Sequence, residues 1–397
     1  MQLGIVGKPN VGKSTFFNAA TKAHAEVADY PFTTIEANRG VMYIRKPCPC
    51  RDTHVTCTPH NSRCIDGIRF VPIEAIDVAG LVPDAHKGKG LGNKFLDDLR
   101  QAHVLIHIVD ASGSTDAEGN PCDIGTHDPL SDVIFLEKEI NYWLFGIIKK
   151  SWEIIARKCE LEGKKIEKML AEQLTGLGIK EEHITAAIRK INLEGTKSAQ
   201  WRDEEIFKLT DIVRTISKPI IIAFNKCDKA PEKLIEKRNE LTKSIVVPTS
   251  AESELALSNA AEKGIIAYTP GSNDFSLLKK EEITEKQLKA LEYIRMHVLT
   301  KYGSTGVQRC IDEAVQMLDL IVVYPVEDEH HLTDKQGRVL PDAYLIPRGS
   351  TAKDLAYKVH TDLGDHFIRG IDARTHRVIG AEHPLKDGDI ISIIADI

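Results

Sequence analysis

The sequence lacks any apolar run long enough to cross a membrane as a helix, which takes about 20 residues. Its first residues, MQLGIVGKPN, have no basic segment followed by an apolar core, so we expect no secretory signal. An excess of positive charge is also missing, because the formal net charge is −6. These absences favour a cytoplasmic protein and argue against one whose whole surface coats nucleic acid.

Cysteine is sparse, with eight residues in the chain. In a cytoplasmic protein they are expected to be thiols or metal ligands rather than a disulfide framework. Scarce glutamine beside abundant glutamate, lysine and isoleucine is typical of a thermophile, in which disulfides would return as an alternative. The length of 397 residues predicts roughly two to four domains.

The first motif joins a short apolar segment, QLGIV, to the glycine-rich stretch GKPNVGKST and then to a helical pattern. A strand, a G-x-x-x-x-G-K-S loop and a helix in this order predict a phosphate-binding loop. Lys13 is expected to reach the β- and γ-phosphates of a nucleotide, and the Ser14 hydroxyl to bind Mg²⁺. The residues predicted to contact the nucleotide here are Gly7, Lys8, Pro9, Asn10, Val11, Gly12, Lys13, Ser14 and Thr15.

Two further segments supply candidates for hydrolysis. The strand-like IEAIDVAGLV contains Asp77, expected to hold Mg²⁺, and Gly80, whose N–H is expected to meet the γ-phosphate. In DYPFTTIEAN, Thr34 is predicted to offer its hydroxyl to Mg²⁺ and its backbone to the γ-phosphate, with Thr33 as the alternative. We therefore assign catalytic roles to Lys13, Thr34 and Gly80.

A third apolar strand ends in the motif NKCD, within IIIAFNKCDKA. The Asp228 carboxylate can accept hydrogen bonds from guanine N1–H and N2–H₂, donors that adenine lacks. Asn225 is expected to tie this loop to the phosphate loop and contact N7, while the Lys226 stem lies on the base. An ordinary strand-to-loop turn is the alternative for NKCD alone.

The stretch VVPTSAES follows NKCD and completes the predicted base site. The N–H of Ala251 is expected to meet guanine O6, with Ser250 and Glu252 beside it. Because these motifs occur in the order typical of guanine-nucleotide-binding proteins, the sequence predicts GTP binding.

With these motifs in place, the chain resembles the translation-factor-related P-loop GTPases, and more narrowly the Obg-related group. YPFTTIEANRG, DVAGLVPDAHKGKGLGNKFLDDLRQAHVLIHIVD and the carboxyl-terminal segment carry a resemblance to its YchF branch, the Obg-like ATPases, in an archaeal-type form. That branch typically has a glutamate where this chain has Asp228, and it lacks the lysine at Lys226. Because that change goes with ATP preference in the branch, we predict guanine selectivity here.

Leu81 stands where many GTPases place a glutamine that orients water. The resemblance implies that a hydrophobic residue is normal at this position in the group. We consider two other sources of catalysis. His86, in PDAHKGKG, could orient water, or it could be an exposed loop residue. Asn10 matches a position where some related GTPases bind K⁺ beside the phosphates.

Four cysteines, Cys48, Cys50, Cys57 and Cys64, are spaced C-x-C-x₆-C-x₆-C in KPCPCRDTHVTCTPHNSRCIDG. Thiolates at this density suit a tetrahedral Zn²⁺ site. The alternative is a surface insert with free or disulfide-paired thiols.

The expected fold class is α/β: a P-loop G domain with a mostly parallel sheet and helices on both faces, an α-helical insertion and a carboxyl-terminal β-grasp domain. IPRGSTAKDLAYKVHTDL and LKDGDIISII resemble the TGS domain, which implies binding to RNA or a ribosome-associated partner. The predicted domains are a G domain at 1–112 and 217–265 with a Cys-rich insert at 46–66, a helical insertion at 113–216, a helical segment at 266–318 and a TGS domain at 319–397.

A run of basic residues in the helical insertion is compatible either with RNA binding or with a solvated helix face: Lys149, Lys150, Arg157, Lys158, Lys164 and Lys165. We predict a monomeric GTPase that hydrolyses GTP slowly with Mg²⁺ and acts as a switch on the ribosome or translation machinery. The alternatives are a YchF-type ATPase and an RNA-binding adaptor with a nucleotide-binding domain.

Overall fold

The computed structural model describes residues 1–22, 38–78, 92–236, 242 and 244–396. These residues form two compact units. The first comprises Met1–Ala19 and Ala75–Cys310, and the second comprises Ala20–Glu74 and Ile311–Ile397. None of the helices in the described ranges is long and apolar enough to span a membrane.

The strands of the described residues are, in chain order, β1 (Gln2–Val6), β2 (Arg39–Pro47), β3 (Arg63–Ile65), β4 (Ile68–Asp77), β5 (Val104–Asp110), β6 (Ile220–Asn225), β7 (Ile245–Pro248), β8 (Ile266–Ala267), β9 (Ser276–Leu277), β10 (Leu320–Val326), β11 (Tyr344–Pro347), β12 (Phe367–Asp372), β13 (Arg377–Ile379) and β14 (Ile390–Ala395).

The helices described are α1 (Lys13–Lys22), α2 (Cys50–Thr53), α3 (Gly92–Gln101), α4 (Pro129–Glu162), α5 (Ile166–Leu174), α6 (Glu181–Lys190), α7 (Asp203–Ser217), α8 (Glu232–Glu236), α9 (Ala251–Glu262), α10 (Glu285–Ile294), α11 (Thr300–Tyr302), α12 (Val307–Met317), α13 (Ala352–Val359) and α14 (Thr361–Asp365). A π-helical turn, Arg295–Leu299, joins α10 to α11.

The seven-stranded sheet of the described residues is mostly parallel, as predicted, and β3 pairs antiparallel with β4. β1 pairs with β5, β5 with β6, and β6 with β7, all in parallel register. These strands are almost fully buried and rich in isoleucine and valine, as expected for a parallel sheet covered on both faces. Because parallel strands end at one edge of the sheet, the motifs that follow β1, β5 and β6 meet there.

The helical insertion contains α4 and three further helices, α5, α6 and α7. Asp128 caps α4 by accepting a hydrogen bond from the Leu130 N–H, and Pro129 stands at its first turn. One face of α4 is buried against α5 and α7, and α6 packs on these two helices. Trp152 stacks on Trp201 with ring centroids 5.5 Å apart. The apolar core of the insertion is continuous with that of the sheet, since the same cluster includes Val6, Ile76 and Leu105.

The segment at 266–318, expected to be helical, begins instead with a small antiparallel pair, β8 and β9. The intervening chain contains Pro270 and Gly271, which are poor helix formers and favour a turn. A short 3₁₀ turn lies at Lys280–Glu282, and α-helical structure starts at α10, which Thr284 caps.

The second unit contains the carboxyl-terminal domain, whose five strands lie in the order β11-β10-β14-β12-β13. Thr351 and Asp354 form a capping box at α13. The Cys-rich insert, which we assigned to the G domain, lies in this second unit together with the rest of Ala20–Glu74. Its residues Thr58 to Asn61 make backbone and side-chain hydrogen bonds to 339–343, contacts between distant parts of the chain that local patterns do not reveal.

Candidate functional site

The phosphate loop lies directly against the ends of β5 and β6. A Cβ atom on Gly7 would come within 2.7 Å of the Ile108 carbonyl oxygen. Gly12 has a φ of +91°, and a Cβ there would overlap the Asn225 carboxamide. Glycine is thus required at both positions, and the loop leads straight into α1, whose first N–H groups favour an anion.

Lys13 and Asp77 form an ion pair between the start of α1 and the end of β4. The Ser14 side chain next to them is exposed. A carboxylate and a hydroxyl are the oxygen donors that Mg²⁺ prefers, so these residues fit the predicted metal. Lys13 and Mg²⁺ would share the negative charge of Asp77 and of the phosphates.

Lys8, also in the predicted nucleotide-binding set, has its side chain turned into the protein. It is 6% exposed, and its ammonium lies 2.8 Å from an Asp132 carboxylate oxygen and 3.0 Å from the Thr115 carbonyl oxygen. A buried cation needs such partners. The Lys8 side chain therefore holds the loop in place, and only its backbone can face a phosphate.

Asn10 is bound to the polar loop that follows β5. Its backbone is left-handed, with φ +63°, and its Nδ2 donates to the Gly119 carbonyl oxygen at 2.9 Å. A Cβ on Gly119 would fall within 2.7 Å of the Pro9 carbonyl oxygen. This loop is thus packed closely on the phosphate loop.

Asn225 joins three parts of the site. Its Nδ2 donates to the Val11 carbonyl oxygen at 2.8 Å, which is the predicted tie to the phosphate loop. Its Oδ1 accepts the Ala251 N–H at 3.0 Å. We expected that N–H to meet guanine O6, but here it is directed to Asn225 instead. The Glu254 N–H donates to the Ser250 carbonyl oxygen at 3.1 Å, so Glu252 and Ser253 carry the remaining backbone N–H groups of this turn.

Asp228 is half-buried, and its Oδ1 accepts a hydrogen bond from the Ser250 hydroxyl at 3.1 Å. Ser250 is also 2.8 Å from the Ser253 hydroxyl. A carboxylate offers about four acceptor sites, so the bonds from the Ser250 and Tyr293 hydroxyls leave capacity for two donors of a base. The serine therefore orients Asp228 without saturating it.

Lys226 is fixed by Asp110, a residue that sequence reasoning missed. Lys226 has φ +59°, and its ammonium lies 2.7 Å from Asp110 Oδ2. Asp110 is fully buried and also accepts hydrogen bonds from Ser112, Ser114 and Thr115. Burial raises its pKa, but the Lys226 ammonium and these hydroxyls more than offset this and hold the pKa below its usual value. The sequence signal for this site was the run DASGST, which begins at the last residue of β5 and supplies the carboxylate and its hydroxyl donors.

The four cysteines of the insert converge. Their Sγ atoms all lie within 4.8 Å of one another, and the Cys48–Cys57 and Cys50–Cys64 separations are both 3.9 Å. Zn–S bonds of about 2.3 Å in a tetrahedron place sulfur atoms about 3.8 Å apart. The donor set therefore fits Zn²⁺. His60 is directed elsewhere, to Asp342 at 3.3 Å.

Thr33, Thr34, Gly80, Leu81 and His86 lie outside the described residues. Their predicted roles in binding Mg²⁺, the γ-phosphate and water stay predictions.

Three regions of the chain match known families. Residues 2–138 match the family described as 50S ribosome-binding GTPase, residues 223–328 match the Obg-like GTPase YGR210-like, G4 motif-containing domain, and residues 330–395 match the TGS domain.

Relatives cover nearly the whole chain. It is 53% identical to an uncharacterized GTP-binding protein of Methanocaldococcus jannaschii, over 99% of this chain and 98% of the relative. It is 27% identical to the ribosome-binding ATPase YchF of Buchnera aphidicola, over 99% of each. A crystal structure of a GTP binding protein from Pyrococcus horikoshii OT3 is 40% identical, covers 100% of both chains and superposes with a TM-score of 0.76.

Proposed function

Because the chain belongs to the Obg-like, YchF-related family of P-loop GTP-binding proteins, we propose that it is a slow Mg²⁺-dependent GTPase. It acts as a monomeric switch on the ribosome in the cytoplasm. The observation that carries the choice of base is Asp228, whose carboxylate is oriented by Ser250 and still has capacity for two donors. Guanine supplies two such donors on one edge, and adenine does not.

Some of the residues bind the nucleotide and others act in its hydrolysis. The glycine-rich loop and Lys13 neutralise the phosphates. Asn225, at the start of the NKCD motif, holds that motif against the glycine-rich loop. Mg²⁺, held by Ser14, Asp77 and Thr34, would neutralise charge that develops on the phosphates. Leu81 cannot orient water, so His86 or a cation has to assist, which fits slow turnover. Gly80 and Thr34 sense the γ-phosphate.

Dissociation constants of GTP and ATP, measured side by side on nucleotide-free protein with Mg²⁺, test the choice of base. We expect GTP to bind at least about tenfold more tightly, a difference of about 1.4 kcal/mol. Equal or stronger ATP binding would favour the alternative suggested by the relatives named ribosome-binding ATPase.

Sedimentation with ribosomes tests the switch. We expect more protein in the ribosome pellet with a non-hydrolysable GTP analogue than with GDP. Equal pelleting with both nucleotides and without any would favour an adaptor whose nucleotide has no regulatory role.

The position of Asn10 supports a K⁺ ion beside the phosphates. Its Nδ2 donates to the Gly119 carbonyl oxygen, and this bond orients the carboxamide. Oδ1 is then the atom that would face a cation. A cation there would stabilise charge that develops during hydrolysis. Replacing Na⁺ with K⁺ at constant ionic strength is therefore expected to raise kcat roughly tenfold or more. Asn10→Ala should remove that difference, and equal rates in both salts for the wild-type protein would rule the cation out.

The thiols of Cys48, Cys50, Cys57 and Cys64 are proposed to bind a structural Zn²⁺. Support comes from the sulfur separations, which match a tetrahedral ion. All four ligands are cysteines, with no open position for a substrate, as in structural rather than catalytic sites.

A further inference from the structure

A short stretch outside the nucleotide motifs, Tyr302–Gly306, lies against the loop that follows β7. The Ser250 N–H donates to the Thr305 carbonyl oxygen at 2.8 Å, and Ser250 itself orients Asp228. Thr249 and Thr305 are both fully buried. A buried backbone hydrogen bond thus attaches the loop that follows β7 to the stretch Tyr302–Gly306.

Gly306 brings the two backbones into direct contact. It has φ +82°, and a Cβ there would overlap the Pro248 carbonyl oxygen and come within 2.9 Å of the Thr249 Cα. Four residues further on, Cys310 Sγ lies 3.6 Å from the Thr249 hydroxyl. The loop cannot move towards this stretch without a clash.

A buried carboxylate links the same stretch to α9. Glu254 is 1% exposed and lies in the first turn of that helix, where a negative charge is favourable. Its Oε2 accepts hydrogen bonds from the Thr305 hydroxyl and, at 2.8 Å, from the Tyr268 hydroxyl. These two hydrogen bonds join the first turn of α9 to Thr305 and Tyr268. A buried polar group needs such partners, so Glu254 fixes α9 relative to Thr305.

The loop that follows β6 and contains Asp228 is attached to the same stretch. The Tyr302 hydroxyl donates to the Cys227 carbonyl oxygen at 3.0 Å, one residue before Asp228. One stretch of five residues, Tyr302–Gly306, therefore touches both loops that supply the predicted base contacts.

We propose that Tyr302, Thr305, Glu254 and Tyr268 are positioning residues for guanine recognition. They hold the Asp228 carboxylate and the first turn of α9 at the separation that guanine requires. The inference rests on the proposed guanine-binding function and adds the residues that set its selectivity. Paired hydrogen bonds to N1–H and N2–H₂ depend on alignment, whereas ATP gains little from this geometry. Loosening the support should therefore weaken GTP binding more than ATP binding.

Thr305→Val tests the inference, because it keeps the shape and removes the hydroxyl that donates to Glu254. Thr210→Val is the matched control: Thr210 is also fully buried, and its hydroxyl donates to the Ile206 carbonyl oxygen within α7, in the helical insertion. Dissociation constants for GTP and ATP and the thermal midpoint are measured for both variants and wild type. We expect Thr305→Val to weaken GTP binding roughly tenfold with little change for ATP. The control should keep the wild-type ratio of the two constants.

If Thr305→Val does not fold, Tyr302→Phe and Tyr268→Phe remove the neighbouring hydroxyls one at a time and should likewise raise the ratio of the GTP dissociation constant to the ATP dissociation constant. If the wild-type protein prefers GTP and folded variants keep the wild-type ratio of the GTP and ATP dissociation constants, this inference alone is overturned. A wild-type protein without GTP preference overturns the proposed choice of base and this inference with it.

Discussion

Asp228→Asn is expected to weaken GTP binding at least about 100-fold and to create measurable binding of xanthosine triphosphate. The wild-type carboxylate accepts from both guanine N–H groups, and each charge-assisted hydrogen bond contributes about 1.5–3 kcal/mol. The asparagine amide would place its NH₂ group against a guanine donor. Xanthine carries a carbonyl at C2 in place of the amino group, so it can accept from that amide.

Nucleotide-free protein is titrated with GTP, ATP and xanthosine triphosphate, each with Mg²⁺. Asp203→Asn serves as a control, because that carboxylate is exposed at the start of α7 and pairs only with Lys149 among its charged neighbours described. Asp228→Glu is the conservative comparison, and its longer side chain should misalign both hydrogen bonds. If Asp228→Asn binds GTP within about threefold of wild type, Asp228 does not read the base.

Removing Zn²⁺ is expected to lower the thermal midpoint of the second unit by about 10 °C or more, because structural zinc contributes on the order of 10 kcal/mol to folding. An ion held by the four cysteines would close the loop between Cys48 and Cys64. That loop presents Thr58 and His60, whose N–H groups donate to carbonyl oxygens of the carboxyl-terminal domain at 2.9 and 2.6 Å. Without the ion the loop gains conformational freedom, and these bonds should weaken with it.

Elemental analysis of protein expressed with Zn²⁺ gives the first reading, and we expect about one Zn²⁺ per chain. Cys64→Ser should reduce this stoichiometry and the thermal midpoint together. Cys122→Ser, in the loop after β5 and outside the cluster, should change neither. Thiol titration of the unfolded chain without reductant separates the alternatives. Eight reactive thiols agree with a metal site, whereas four would indicate two disulfides and contradict it.

The nucleotide site could be located from sequence because its chemistry requires fixed residue types at short spacings. A phosphate loop needs Gly7, Gly12 and Lys13 within one turn between a strand and a helix, and the structure has that arrangement. Buried parallel strands could be recognised from apolar runs for the same local reason. The cysteine spacing also indicated a cluster, since all four lie within one insert.

Contacts between distant parts of the chain could not be read in this way. Lys8 and Lys13 belong to one loop and are the same residue type. Asp132 and the Thr115 carbonyl oxygen, both brought close by folding, withdraw the Lys8 side chain from the phosphates. Asp110 beneath Lys226 is a similar case. The packing of the Cys-rich insert on 339–343 joins segments almost three hundred residues apart in sequence. Local spacing thus specified the chemistry of the site. The tertiary structure decided which side chains face it. Charges and hydrogen-bonding groups are stable in the interior only with partners that the fold supplies, and those partners come from distant parts of the chain.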